Sequence, residues 1–340
     1  MAFDISRLVR DFGDPEAEAR AARAQAALFD FSFIARGRIT GTAAVAALER
    51  FQPRPVADMA PGTIRYALRL GPDGAVEADL TIWRLDAETF EVMSGRGEDI
   101  AALGALAGTN AEVADLSDAT AIFAVQGPHS LGVLAALGAR DQLAAISYFG
   151  HTQIPIAGVP CIVGRLGYTG ERGFELIARK ADAERLYSAL AARARPAGSA
   201  AADILRIEAG FILFVNECRL GADARALGLE RLAPSAPGNS PLRLVAFTTG
   251  PARVRSPWQP DANLAPPEPG EIAITSACDS IVLGQTIGLG FVRAEDAAPG
   301  TPVRDSLGRF AGVHVAPIPL YDRAKKRPRG PWFVHEPRPS

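Results

Sequence analysis

Apolar and polar positions change rhythm several times along this chain, and each change marks an element. From Asp14 to Asp30 the chain is rich in Ala, Glu, Arg and Gln and closes on Leu28-Phe29, which predicts one amphipathic helix. Shorter units follow. Gly37 to Gly41 predicts a strand, Ala43 to Phe51 a helix, and Thr63 to Leu70 a strand with Tyr66 on one face. Gly71-Pro72-Asp73-Gly74 is a turn signal, with strands predicted from Ala75 to Leu85 and Thr89 to Ser94 and a helix from Glu98 to Ala107. This much implies an α+β unit with antiparallel pairing.

The pattern resumes after Ser117. Ala119 to Val125 predicts a strand, Gln126-Gly127-Pro128 a turn opening a helix through Leu137, and Asp182 to Ala194 and Ala201 to Phe211 two more helices, the last carrying Asp203, Arg206 and Glu208. From Leu242 the chain turns Pro- and Gly-rich, with short apolar runs at Leu244 to Thr248, Glu271 to Ser276, Ile287 to Val292 and Gly312 to Ala316, the signature of an all-β domain. Three prolines and a glycine between Ala233 and Pro241 mark the boundary before it. No internal repeat is visible.

Composition narrows the class. With 340 residues the chain can hold roughly two or three domains. A net charge of -2 argues against a general polyanion binder, and Lys325-Lys326-Arg327-Pro328-Arg329 reads as a solvated basic tail. No run of eighteen apolar residues and no signal-peptide core occur, so no membrane segment and a cytoplasmic location are expected. Cys161, Cys218 and Cys278 lie far apart, and so do His129, His151, His314 and His335; neither a disulfide framework nor a metal site is expected. No G-x-S-x-G marks a nucleophilic triad.

One stretch concentrates chemistry. Gly167-Tyr168-Thr169-Gly170-Glu171-Arg172-Gly173-Phe174-Glu175 sets a glycine at every third position around an aromatic and several charges, between the strand-like Val159 to Leu166 and Phe174 to Ala178. Glycine permits tight turns and close approach, so the loop can present Tyr168, Glu171 and Glu175 in fixed directions. The spacing fits neither a P-loop nor a dinucleotide fingerprint, and by itself it also fits a hairpin with a solvated charged tip.

Together with that loop, an ordered series spans nearly the whole chain: Leu28-Phe29-Asp30-Phe31-Ser32, Pro61-Gly62 with Tyr66, Asp79, Ser117-Asp118, Gln126-Gly127-Pro128, Leu205-Arg206-Ile207-Glu208-Ala209-Gly210, Asn216-Glu217, Thr275-Ser276 and Leu283-Gly284. In this series the chain resembles the aminomethyltransferase family, which includes the glycine-cleavage T-protein and the folate domains of dimethylglycine and sarcosine oxidising enzymes. The resemblance implies an α+β cloverleaf of three domains around a central cavity for tetrahydrofolate: a discontinuous lobe of residues 1–37 with 119–235, a second lobe of 38–118, both of α/β sandwich type, and a β-barrel-like domain of 240–338. It implies Asp79 as the catalytic carboxylate and Glu175 as the grip on the pterin. Tyr66, Tyr168, Trp83, Ile34 and Thr81 would complete the folate site.

Departures from the family pattern bear on the donor. Only a short lead precedes Leu28, so part of the site that closes over the cavity is expected to be missing. The family's Ala-Arg-Asp reads Ala201-Ala202-Asp203, while Arg38 stands where an apolar residue is usual; Arg38 is therefore a candidate to restore the lost charge. Ala78-Asp79 keeps one acid of a usual pair, and Ala222-Asp223-Ala224-Arg225-Ala226 shortens a loop. The reading is a divergent transferase or demethylase moving a methyl or methylene group from a small donor to tetrahydrofolate, with an oxidoreductase or carrier protein as partner and no nucleic acid or membrane. The alternatives are a non-catalytic folate-binding protein and the folate half of a flavin-dependent demethylating oxidase.

Overall fold

The computed structural model describes residues 5–138, 140–236 and 238–332. His335, and the stretch to 338 assigned to the last domain, lie outside them.

Three sheets organise the α+β fold. β1 (Ala27–Asp30) belongs to the first. The next strands, β2 (Ala35–Thr40), β3 (Thr63–Leu70), β4 (Val76–Arg84), β5 (Thr89–Ser94) and β6 (Glu112–Asp115), form an antiparallel sheet in the order β3-β4-β5-β2-β6. The chain then returns to the first sheet with β7 (Thr120–Gln126), β8 (His151–Ile156), β9 (Val159–Gly164), β10 (Gly173–Arg179) and β11 (Arg195–Pro196), in the order β11-β1-β7-β10-β9-β8. Finally β12 (Leu242–Thr249), β13 (Glu271–Asp279), β14 (Thr286–Arg293), β15 (Pro302–Asp305) and β16 (Val313–Ala316) close a barrel. β2 lies wholly in the second sheet, which places residues 35–37 there.

β7 shows how the first sheet is held. Thr-Ala-Ile-Phe-Ala-Val-Gln is buried throughout, and its alternate residues enter different cores: Ala121, Phe123 and Val125 one, Ile122 and Ala124 the other. A strand covered on both faces reads as a continuous apolar run. The second of these cores also holds Trp83 and Met93 from the second sheet and Cys278 and Ile287 from the barrel, so it joins all three units.

The structure departs from the sequence pattern at both ends of the chain. The first helix covers only Pro15–Ala24, started by Asp14, whose side chain accepts from Ala17 N at 3.0 Å, and by Pro15 at its first position. Gln25 leaves helical geometry, and Leu28 and Phe29 pair with Val125 and Ala124 of β7 as part of β1. Burial between strands outweighs the local helical pattern. The basic run is likewise not a free tail: a short helix, Lys326–Arg329, forms, and Arg327 reaches Glu171 at 3.5 Å and Tyr321 at 5.0 Å.

Candidate functional site

Strand alternation places the carboxylates. On β4, Leu80 and Ile82 enter the core beneath helices Ala44–Phe51 and Glu98–Ala107, so Asp79, Thr81 and Trp83 face the other way. Tyr66 of β3 pairs with Thr81, and its hydroxyl donates to Asp79 Oδ2 at 3.0 Å. Trp83 Nε1 donates to Thr81 Oγ1 at 3.0 Å, and its indole lies over Gly164, where an added Cβ would come within 2.2 Å of the ring. On β10, Phe174 and Leu176 enter the first core, which turns Glu175 to the opposite face. There it stands between the small residues Ala124 and Gly164 on the neighbouring strands, which leave it space.

The glycine loop between β9 and β10 is closed from behind by an amide. Gln126 Nε2 donates to Leu166 O at 3.1 Å, and Thr169 Oγ1 donates to Gln126 Oε1 at 2.9 Å. Gly167 and Gly173 exist to admit it: a Cβ would lie 1.9 Å from Gln126 Oε1 at the first and 2.3 Å from Nε2 at the second. Tyr168 thereby turns inward, where its hydroxyl donates to Ile212 O and its ring stacks on Phe211 at 5.9 Å. We expect Gly167→Ala to cost about 1–3 kcal/mol in urea denaturation, through overpacking, and less in a Gln126→Ala background. Equal costs in both backgrounds would contradict this contact.

These residues line one cavity of about 860 Å³, within the range of small-molecule sites. Its wall is mostly apolar, with Ile34, Phe31, Phe149 and Phe214 lining it together with Tyr66 and Tyr168. Burial pushes Glu175 up to about 7, and it has no hydrogen-bond partner among the described residues. Burial also raises Asp79, to about 6, although the Tyr66 hydrogen bond opposes the rise and the charge of Glu217 adds to it. Tyr66 and Tyr168 are driven well above the usual phenol range, chiefly by burial.

A buried ionic network backs the cavity. Arg206, on helix Ser199–Glu208, donates to Asp203 Oδ1 and Glu217 Oε2, each at 2.9 Å, and to Ser276 Oγ at 2.5 Å. Thr275 and Ser276 of β13 both donate to Glu217 Oε1, at 2.7 and 2.6 Å. Three landmarks far apart in the chain thus meet at one guanidinium, which is held more basic than usual by Glu217 and Asp203 despite its burial. Arg206 and Asp203 also reach the cavity wall.

Asp79, Tyr66, Trp83, Tyr168, Glu175, Ile34 and Thr81 are therefore brought together around one cavity. Arg38 is not. It donates to Glu91 Oε1 at 2.6 Å, directly across β2 and β5, and lies outside the cavity wall, so it cannot restore a charge lost at Ala202, which itself lines the cavity. Glu171 also turns away, to the outer side of the loop. Residues 5 to 12, the short lead, supply Ile5, Arg7, Leu8, Val9 and Phe12 to the wall, where absence of a closing segment was expected. Sequence reading passed over Phe149, which takes a positive φ of 61°, and gave Arg206 and Glu217 no role. The available signal for Arg206 was charge on a helix of Ala, Ile and Leu; Glu217, on the separate turn Phe214–Glu217, carried none.

The carboxylate environment predicts a pH effect on stability. Glu175 binds its proton more tightly folded than unfolded between its ordinary value of 4.5 and about 7, so stability falls as pH rises through that window. Glu175→Gln should match wild type near pH 4 and exceed it by about 1–3 kcal/mol at pH 8, read from urea midpoints. A difference independent of pH would contradict the assignment.

Comparison with known proteins gives concordant matches. The family model of the GCVT N-terminal domain matches residues 10–234. The chain is 33% identical over 345 residues to an aminomethyltransferase of Streptomyces avermitilis, covering 92% of this chain and 91% of that one. It is 32% identical over 339 residues to an aminomethyltransferase of Geobacillus kaustophilus, covering 92% of each. A crystal structure of the glycine cleavage system aminomethyltransferase T from Bartonella henselae shares the fold, with a TM-score of 0.74 at 22% identity over 91% of this chain and 90% of that one.

Proposed function

We propose that the chain, which belongs to the aminomethyltransferase family, moves a one-carbon unit from a small amine-type donor onto tetrahydrofolate. As a member of that family it is a folate-dependent transferase. The observation that carries the finer reading is the pairing of two raised carboxylates, Asp79 and Glu175, in one apolar cavity, the second of them without a partner among the described residues.

The cavity fits a reduced pterin on chemical grounds. Such a ring needs apolar or aromatic walls and an acceptor for its amidine-like edge. Glu175 is the acceptor: an unpaired carboxylate is costly in an apolar wall, and paired N–H donors offset that cost. Tyr168, Trp83 and Tyr66 supply the aromatic wall, and Ile34 the apolar one. Held by these residues, tetrahydrofolate would supply the amine nitrogens that accept the carbon.

Asp79 is placed for the transfer. With its carboxyl near 6 it is largely ionised at neutral pH, and the Tyr66 hydroxyl fixes one of its oxygens. An anion preorganised in an apolar site stabilises positive charge developing on a donor nitrogen and orients the attacking amine. Ala202 lines the same cavity, whose wall also carries Asp203 and, one turn along the helix, Arg206. A carrier protein that delivers the carbon as an aminomethyl group suits this arrangement, and an oxidoreductase that releases a reactive methylene product is the second class of partner.

The test is to mix the protein and tetrahydrofolate with aminomethyl thioethers, methylated amines and aryl ethers in turn and to follow folate one-carbon adducts by mass spectrometry. Adduct formation with the amine-type donors is expected. Folate binding without an adduct from any donor would reduce the protein to a folate-binding module.

A further inference from the structure

The loop that carries Tyr168 into the cavity and leads into β10 with Glu175 has a second, outer face, and the C-terminal segment is fastened to it. Glu171, only 2% exposed, points outward. Its Oε1 accepts from the Tyr321 hydroxyl at 2.5 Å and faces Arg23 Nη1 at 3.4 Å and Arg327 Nη1 at 3.5 Å. Both guanidiniums lie over the Tyr321 ring, 3.9 Å from its centroid for Arg23 and 5.0 Å for Arg327. Arg23 also donates to Thr169 O at 2.7 Å and to Glu208 Oε2 at 2.8 Å, binding the loop to the helix that holds Arg206.

The fastening continues past Arg327. Arg165, just before the loop, donates to Gly330 O at 2.6 Å and lies over the Trp332 ring at 4.7 Å. Trp332 stacks on Phe174 with centroids 5.0 Å apart and planes within 11°. Phe174 immediately precedes Glu175 and projects from the opposite face of β10, so the segment grips the strand at the residue beside the cavity's carboxylate. Glu171 is buried while Arg327 is half-exposed, and Glu171 Oε2 has no hydrogen-bond partner among the described residues, so the Tyr321 hydroxyl, Arg23 and Arg327 compensate this carboxylate at Oε1 alone and the loss of any one of them is costly.

We propose that the C-terminal strap from Tyr321 to Trp332 is a positioning element of the cavity, which sets Tyr168 and Glu175 by holding Glu171, Arg165 and Phe174 from outside. None of the strap residues touches the cavity, so they act through the loop. The consequence for tetrahydrofolate rests on the function proposed above; the mechanical coupling of strap to loop does not.

The experiment separates the two. Tyr321→Phe removes one hydroxyl, and Arg327→Met removes one charge at a half-exposed position, so both variants should fold. Hydrogen exchange is followed in wild type and both variants, by peptides covering residues 164–178 and, as a control, the β4 peptide with Asp79. Exchange in 164–178 is expected to rise about tenfold with β4 unchanged. Unchanged exchange, or a rise spread evenly over the fold, overturns the strap whether or not folate binds. In turnover assays the variants should raise KM for tetrahydrofolate about five- to tenfold with kcat within twofold. Unchanged KM, or kcat and KM lost with overall stability, would leave a structural clasp and overturn the positioning role. A wild-type protein that binds no tetrahydrofolate sinks the functional reading alone, since the exchange experiment still decides the strap.

Discussion

Asp79→Asn is expected to lower kcat by about 10²–10³-fold while leaving the affinity for tetrahydrofolate nearly unchanged. The substitution keeps an oxygen for the Tyr66 hydroxyl, so the local shape survives and the negative charge does not. If the charge acts only as positive charge develops, ground-state binding is spared and the loss falls on kcat. The same account gives a pH profile. Activity should fall as pH drops through about 6, where Asp79 takes up a proton, and Asp79→Asn should lack that limb. A variant that loses folate binding with kcat intact would move Asp79 from chemistry to recognition.

Arg206→Met should produce the largest loss of stability in the molecule, about 3–5 kcal/mol in urea denaturation. Arg206 is 1% exposed, and its removal strands Asp203 and Glu217, at 3% and 0%, without their counter-charge. It also takes a donor from Ser276, and with it one of the polar ties between helix Ser199–Glu208 and the barrel, leaving the one from Ser280 to Glu208. Adding Glu217→Gln to the same chain should recover part of the loss, because one orphaned charge is gone. Equal stability of the single and double variants would show that the network is not coupled.

The elements that stood out in the sequence were those whose pattern matches their own burial. Thr63–Leu70, Thr89–Ser94 and Glu98–Ala107 were predicted end to end, since each has six or more residues and runs into a glycine, Gly71, Gly95 and Gly108. β1 was hidden because Ala27 to Phe29 continue a helical rhythm that only pairing with β7 interrupts. β15 and β6 were hidden for another reason: each has four residues, two of them charged, so neither shows the apolar run that marks the equally short β16.

The site divides in the same way. Asp79 and Tyr66 share a hairpin, so spacing within it carried the information that they meet. Glu171 on the loop and Glu175 on β10 sit four apart, yet they point to opposite sides, and the turn that separates them packs on Gln126, forty-one residues before Gly167. The role of the Tyr168 glycines was likewise invisible, because the group they make room for belongs to another strand. Arg38 was misjudged because Glu91, its partner across the sheet, lies on a strand whose register no local pattern specifies.

Glu175 carries opposite expectations for stability and for binding. As an unpaired carboxylate it weakens the free protein above neutral pH, while the same carboxylate is the acceptor that a pterin edge requires. Calorimetric titration of tetrahydrofolate into wild type and Glu175→Gln at pH 8 therefore tests the central claim most directly. Saturable binding by wild type, weakened about 10–100-fold in a variant that is itself more stable, is the predicted result. Absence of saturable binding by wild type, or equal affinity in the two proteins, would contradict it.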